Sequence, residues 1–412
     1  MATAGKVQAF ISRFQWNQLP NISEPELAEI CDLRIEELPQ EVITDLVLSL
    51  SYLSLDQDGI GKLSLKTIDR LINRDESWRD QIVDSLIESV QPMLLRTEVQ
   101  RDVQRPGLRP NTGFSFKEDE SRRKWKQNGG MKSIPLIYVI LLHLSHRRLS
   151  GNLWWITPGI LNLLDDTTDL VGIKLRGVLL LRTFLQNVFQ DDEHWVSFKD
   201  TGLFKLYEPI LKNMCYYLPP VHSAEECITV WKEVFPTLDA LYLLQFKESS
   251  AEYRINLGDF MSELILQQMI PRINMTSEPL AIFMLETLKD QLQKLGETSL
   301  YYLSRVIYTL GEYLVRDPFV TAFGEILDRI IACLEVLLSV CPPDRIAAHK
   351  YDFLALIAIL WDKCKQEGKL TAPLADKFRL LVRTLKSKGC DFTDDKIELT
   401  KVKDIGELFV QD

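Results

Sequence analysis

Leu300, Leu303, Ile307, Leu310 and Leu314 recur at spacings of three and four. Phe319, Phe323, Ile326, Ile330, Leu334 and Leu337 continue the pattern, and Phe353, Ile357, Leu360 and Cys364 repeat it. This spacing places apolar side chains on one face of a helix. It hardly stops from Met131 to about Ser387, and no comparable period-two alternation appears, so no sheet is expected. Several of these helices are apolar on more than one face and need neighbours on both sides. The expected fold is all-α, a HEAT/armadillo-like α-solenoid. Breaks at Pro219-Pro220, Pro271, Gly296, Pro318 and Pro342-Pro343 are irregularly spaced, so the repeats are degenerate.

The stretch Trp154 to Phe189 has the form of one such repeat. Pro158 reads as a first-turn proline, where a missing N–H costs nothing. Asp165-Asp166 closes the first helix, and Thr167, Thr168 or Asp169 can cap the second. Arg176 is placed to reach back to those carboxylates. A single unit cannot bury both of its faces, so it implies stacked neighbours.

Four regions follow along the chain. Residues 1–95 read as an N-terminal region of short helices at Glu26–Leu33, Gln40–Leu53, Ser64–Ile72 and Ser77–Leu95. Ile82, Leu86 and Val90 share a face of the last, which Pro92 ends or kinks. Residues 96–132 form a basic Pro/Gly-containing loop or linker, with ten Lys/Arg against five Asp/Glu. Residues 133–388 are the HEAT-like helical-repeat region. Residues 389–412 are a charged C-terminal tail, with Leu408-Phe409-Val410 as a short docking element.

The formal charge of −10 argues against a protein that coats nucleic acid. Arg122 to Lys126 (RRKWK) is nevertheless a basic run with one Trp. It either touches nucleic acid or an acidic partner, or docks Trp125 on the chain's own acidic surface. Seven cysteines at irregular spacing, without CxxC, read as reduced cytosolic or nuclear thiols. No secretory signal is expected in the opening MATAGKVQAFISRFQW, which carries only brief apolar clusters. Ile134 to Leu144 is too short to span a bilayer and reads as a buried helix.

Tests for chemistry fail one by one. Asp56-Gln57-Asp58-Gly59-Ile60-Gly61 resembles the start of a calcium loop, but Ile60 and Thr67 stand where oxygen ligands belong. In His146-Arg147-Arg148-Leu149-Ser150-Gly151-Asn152 an arginine replaces the aspartate of a kinase catalytic loop. His143 and His146 could share a metal, but no further ligand completes the set. Gly59-Ile60-Gly61-Lys62 lacks the P-loop frame. Asp165-Asp166 and Asp191-Asp192 stand at helix ends, where capping suffices. No catalytic residue, cofactor or metal is expected. Trp154-Trp155 reads either as a partner anchor or as a core pair wedging two helices.

Pro158 with Leu161-Asn162-Leu163-Leu164-Asp165-Asp166 precedes Lys174-Leu175-Arg176-Gly177 with Leu180-Leu181-Arg182. Thr201-Gly202-Leu203-Phe204, Tyr217-Leu218-Pro219-Pro220 and Cys341-Pro342-Pro343-Asp344-Arg345 follow. With Arg109-Pro110-Asn111-Thr112-Gly113 ahead of it, this set resembles the Tel two-interacting protein two family, the third subunit of the TTT co-chaperone complex. The resemblance runs from about residue 105 to about residue 365. It implies a non-enzymatic helical solenoid, cytoplasmic and nuclear. Its partners would be the other two TTT subunits, chiefly the large interacting-protein-one solenoid. It would act with the ninety-kilodalton heat-shock chaperone machinery in the maturation of phosphatidylinositol-3-kinase-related kinases, including TOR and the DNA-damage checkpoint kinases. Two other functions stay open: a helical-repeat adaptor in transport or trafficking, and a nucleic-acid binder through residues 122–126.

Two places are expected to contact partners. One is the turn Tyr217, Leu218, Pro219 and Pro220. The other is a C-terminal pair of helices carrying Arg345, His349 and Trp361, where a basic or aromatic group would anchor a partner helix. In the plainer reading, Trp361 and the Pro-Pro turns are purely structural.

Overall fold

The computed structural model describes residues 2–14, 20–33, 35, 38–55, 59–94, 116–189, 197–248, 250–402 and 405–409. All regular structure among the described residues is helical, with no strand. The chain divides into two compact units, Met1–Phe204 and Lys205–Asp412.

Unit 1 opens with α1 (Ala2–Ser12), α2 (Glu24–Cys31), α3 (Gln40–Ser51), α4 (Gly59–Ile72) and α5 (Glu76–Val90). Asp75 caps α5 by accepting from the Trp78 N–H at 2.8 Å, and Pro92 lies in the 3₁₀ turn that ends it. Ile82, Leu86 and Val90 form the expected buried stripe. Next come α6 (Phe116–Gln127), α7 (Ser133–His143), α8 (Leu153–Leu164), α9 (Leu175–Thr183) and α10 (Phe198–Thr201). α7 packs against α3, α5 and α9. Contact with several helices buries Leu136, Ile137, Val139, Ile140 and Leu141 together, which is why the segment is apolar nearly all round.

Three details of unit 1 differ from the sequence-based expectation. Phe116–Gln127 is a helix inside the segment read as a loop, held by polar contacts that leave no apolar period to detect. Residues 95–115, including Arg109 to Gly113, lie outside the described residues, as do Asp56 to Asp58 and Asp191-Asp192. Pro158 stands inside α8 and not in its first turn. The carbonyl that would have received its N–H belongs to Trp154, whose side chain is exposed. Arg176 does not reach the carboxylates of the turn. Its guanidinium donates to the Leu55 carbonyl at 3.4 Å.

The α8–α9 hairpin itself forms as expected. Asp165 ends α8, and the Asp169 side chain caps the next segment through the Gly172 N–H at 2.7 Å. The two helices meet at Gly177, where an added Cβ would lie 2.9 Å from Leu163 Cβ and 3.1 Å from Leu164 N. Only glycine permits this backbone approach.

α11 (Leu203–Met214) spans the boundary between the units. Unit 2 continues with α12 (Ala224–Phe246), α13 (Ala251–Asp259), α14 (Ile270–Ile273), α15 (Glu278–Leu295) and α16 (Leu303–Leu310). α17 (Gly324–Val340), α18 (Pro343–Ala348), α19 (Lys350–Gln366), α20 (Ala372–Ser387) and α21 (Thr393–Val402) follow. Ser223 and Glu226 form a reciprocal capping box at the start of α12. α15 packs on α12, α13 and α17, and α20 packs on α17 and α19. Helices with two buried sides therefore lie between neighbours, as their apolar faces demand.

Gly296 ends α15 with φ of +55°, and Pro343 occupies the first turn of α18. Pro271 does not break the chain. It lies at the start of α14, which continues directly from α13 through Phe260–Met269. Phe319 is also off pattern: it is exposed and precedes α17, whose buried stripe begins at Ile326. The charged tail contains α21 and a 3₁₀ turn that buries Leu408 and Phe409, while Val410 lies outside the described residues.

All seven cysteines are buried and unpaired, and burial pushes every thiol above its ordinary pKa. Burial of this kind disfavours the thiolate that a nucleophile or metal ligand needs. Among the described residues no helix is long and apolar enough to cross a membrane.

Candidate functional site

In unit 2 the Pro-Pro turn forms a compact corner between α11 and α12. Leu218 is buried beneath it, Tyr217 stacks on His222 with ring centroids 4.3 Å apart, and Pro220 is exposed. Tyr216 and Val221 flank the turn and face solvent. Leu218 and Tyr217 therefore shape the corner, and Tyr216, Pro220 and Val221 are its exposed groups.

The second place divides in the same way. Arg345 is exposed on α18, with the Asp344 carboxylate 3.9 Å away. His349 is half-buried where α18 meets α19. Its Nδ1 lies 2.8 Å from the Asp352 carboxylate, and its Nε2 lies 3.4 Å from Ser304 Oγ on α16. Trp361 is 0% exposed. Its ring packs edge-on against Phe378, centroids 6.1 Å apart, and the Arg379 guanidinium lies 5.5 Å from its centroid. No partner can touch Trp361 without unfolding α19 and α20, so it is a core residue. Arg345 and His349 remain accessible.

The surface aromatics that sequence reasoning missed lie close by in the chain. Tyr301, Tyr308, Phe319 and Tyr351 are all exposed. The signal was present: Tyr301, in the 3₁₀ turn before α16, and Tyr308 fall seven apart, and Tyr308 is exposed while Leu303, Ile307 and Leu310 of α16 are buried. Exposed aromatics and arginines are the side chains that carry most binding energy in protein interfaces.

In unit 1 the Trp pair splits. Trp155 is buried, with its Nε1 donating to Asn152 Oδ1 at 2.8 Å, and Trp154 is exposed. The basic run is largely spent on the chain itself. Arg122 donates to the Asp166 carboxylate at 2.8 Å and to the Asn162 carbonyl at 3.0 Å. Trp125 Nε1 donates to the Met93 carbonyl at 2.7 Å, and Lys126 Nζ to Thr168 Oγ1 at 3.1 Å. Of its cations only Arg123 and Lys124 are left fully on the surface.

Burial alone would raise the pKa of Asp166. The N–H groups of Asp169 and Thr168, the Thr168 hydroxyl and Arg122 outweigh it and hold the carboxyl below the ordinary aspartate range. This is a structural carboxylate, fully ionised at neutral pH and saturated with donors.

The remaining motifs are accounted for by packing. His143 Nε2 lies 3.2 Å from Asp69, and the His146 ring packs against Phe189 with centroids 5.4 Å apart. Among the described residues no three His, Cys, Asp or Glu side chains are grouped to hold a metal. Arg148 pairs with Asp84 and donates to the Asp80 carbonyl at 3.1 Å, so the kinase-like His-Arg-Arg turn ties its loop to α5. Gly59 to Gly61 and Thr67 lie inside α4, which leaves no calcium loop there.

The class defined by these observations is an all-helical protein whose prominent surface features are exposed aromatic and basic side chains. The family model described as "Tti2 family" matches residues 46–322. The chain is 41% identical over 396 residues to the TEL2-interacting protein 2 of Saccharomyces cerevisiae, covering 92% of this chain and 94% of that protein. The chain belongs to the Tti2 family. No solved structure matches it.

Proposed function

We propose that the chain is a non-catalytic scaffold subunit of a TTT co-chaperone complex and binds the other two subunits, TEL2 and the large interacting-protein-one solenoid. The carrying observation is the 41% identity, across nearly the whole length, to a protein named for interacting with TEL2. In this reading the packing of α12 and α13 on α15, of α15 on α17, and of α17 and α19 on α20 is a stack of degenerate HEAT-like repeats. Such a stack holds a long surface in shape for a large partner. The complex acts with the ninety-kilodalton heat-shock chaperone on phosphatidylinositol-3-kinase-related kinases, in the cytoplasm and nucleus. The kinases are clients and the chain itself transfers no group.

A partner that binds only the folded chain stabilises it by mass action. Co-purified with the other two subunits, the chain should unfold at a temperature several degrees higher than alone. Differential scanning fluorimetry with a dye-labelled chain measures this directly. Equal midpoints with and without the partners, at concentrations well above those used for assembly, would count against the reading.

The transport-adaptor alternative shares the fold and gains no separate support from the surface. The nucleic-acid alternative loses support, because Arg122, Trp125 and Lys126 are already engaged within unit 1.

A further inference from the structure

A cleft of about 490 Å³ opens in unit 2 beside α16. Pro271 and Gln267 form one wall, and Ser304, Arg305, Tyr308 and Tyr313 form the other. Tyr308 and Tyr313 meet edge to face, with centroids 6.5 Å apart and planes at 88°. No carboxylate lines the cleft. Arg305 is exposed, and so is Arg272, which follows Pro271. Among the described residues, neither guanidinium has an ion pair or a hydrogen bond. Glu312, next to Tyr313 in the chain, pairs with Arg316 at 2.6 Å. Tyr301, Arg305 and Tyr308 recur at four and three along one outward face, with Tyr301 78% and Tyr308 60% exposed.

A chain of net charge −10 thus carries a cleft lined by two tyrosines and the unpaired Arg305, with no acid in its lining and a second unpaired guanidinium, Arg272, next in the chain to its Pro271 wall. We propose that this cleft is the docking site for an acidic segment of a partner chain. Carboxylates of that segment would meet Arg305 and Arg272, and an apolar side chain would enter between Tyr308, Tyr313 and Pro271. Arginine binds carboxylates through paired N–H donors, and tyrosine supplies contact area at low entropic cost. Two isolated cations do not form the basic track that a phosphate backbone needs, and the acidic remainder of the chain repels one. A protein segment with a few carboxylates fits the charge count better than a nucleic acid.

The inference rests on the reading above, that the chain binds the other TTT subunits, and deepens it by naming the surface and the chemistry it recognises. The probe is the purified pair of TEL2 and interacting-protein-one. Its affinity for the immobilised full chain is measured by biolayer interferometry over a range of NaCl concentrations. Arg272→Glu with Arg305→Glu should weaken binding by about tenfold or more and flatten the salt dependence. Tyr308→Ala should weaken it with the salt dependence kept. Arg272→Lys with Arg305→Lys should lose much less than the Glu pair. All three positions are on the surface, so helical circular dichroism and melting should match the wild type.

Unchanged affinity and salt slope in the Glu pair would overturn the proposal while leaving the family function intact. Failure of the wild-type chain to bind would remove both. Binding of a twenty-nucleotide single strand, lost in the same variants, would assign the cleft to nucleic acid instead. Concentration-dependent dimerisation lost in those variants would assign it to a second copy. Either result overturns the proposal.

Discussion

Replacing Asp166 with Ala should destabilise the protein by about 3–5 kcal/mol, the cost of removing one partner from a buried ion pair. The Asp166 side chain is 1% exposed and that of Arg122 13% exposed, so water cannot substitute for the lost carboxylate. The change leaves the Arg122 guanidinium, two backbone N–H groups and the Thr168 hydroxyl without their acceptor. It also weakens the tie of α6 to the α8–α9 hairpin, leaving the bonds from Arg122 to the Asn162 carbonyl and from Lys126 to Thr168. Urea unfolding at pH 7, followed by circular dichroism, gives the value. Because the folded-state pKa lies below the ordinary 3.8, this contribution is complete above that pH and is lost as pH falls through the folded pKa. The gap between wild type and variant should therefore be constant from pH 8 to about pH 5 and narrow below 3.8. A loss under about 1 kcal/mol at pH 7 would show that the carboxylate does not anchor α6.

Trp361→Ala should cost about 3–5 kcal/mol, because it empties the space between α19 and α20. The fully buried ring contacts Phe378 and lies beneath the Arg379 guanidinium. Its Nε1 donates to no group among the described residues, so Trp361→Phe removes volume but breaks no hydrogen bond and should cost clearly less. Arg345→Glu on the neighbouring exposed surface should leave stability within about 0.5 kcal/mol of wild type. Denaturant midpoints of the three variants separate core from surface. If Trp361→Ala lost partner affinity at unchanged stability, the burial described above would be wrong.

These two residues also show what a sequence can and cannot reveal. Spacing of three and four located the helices because each apolar face must find a neighbour, and Phe353, Ile357, Leu360 and Cys364 are buried as their period requires. Trp361 sits next to Leu360, on a second apolar side of the same helix. A helix enclosed by neighbours has a wider buried arc than a single stripe reveals. Asp166 was recognisable as a turn residue because capping is local. Its cationic partner was not, because Arg122 lies 44 residues away and reaches it only when α6 folds back on the hairpin. Arg176 was nearer in sequence, and the geometry of α9 directs it to Leu55 instead.

The candidate surface was legible in part. Arg345 and the Pro-Pro turn do face solvent, and punctuation residues are expected there. Arg272 and Arg305 were not legible as a pair, since Arg305 lines a cleft whose opposite wall, Pro271 beside Arg272, comes from a separate helix. No one-dimensional pattern carries that information.

Membership of the Tti2 family makes one measurement decisive for function. The chain, tagged at its natural expression level, should be purified at physiological salt and its companions quantified by mass spectrometry. The account predicts TEL2 and the interacting-protein-one subunit in near-equal amounts with the chain, and phosphatidylinositol-3-kinase-related kinases at lower yield. Recovery of transport or coat proteins without those two subunits would contradict it.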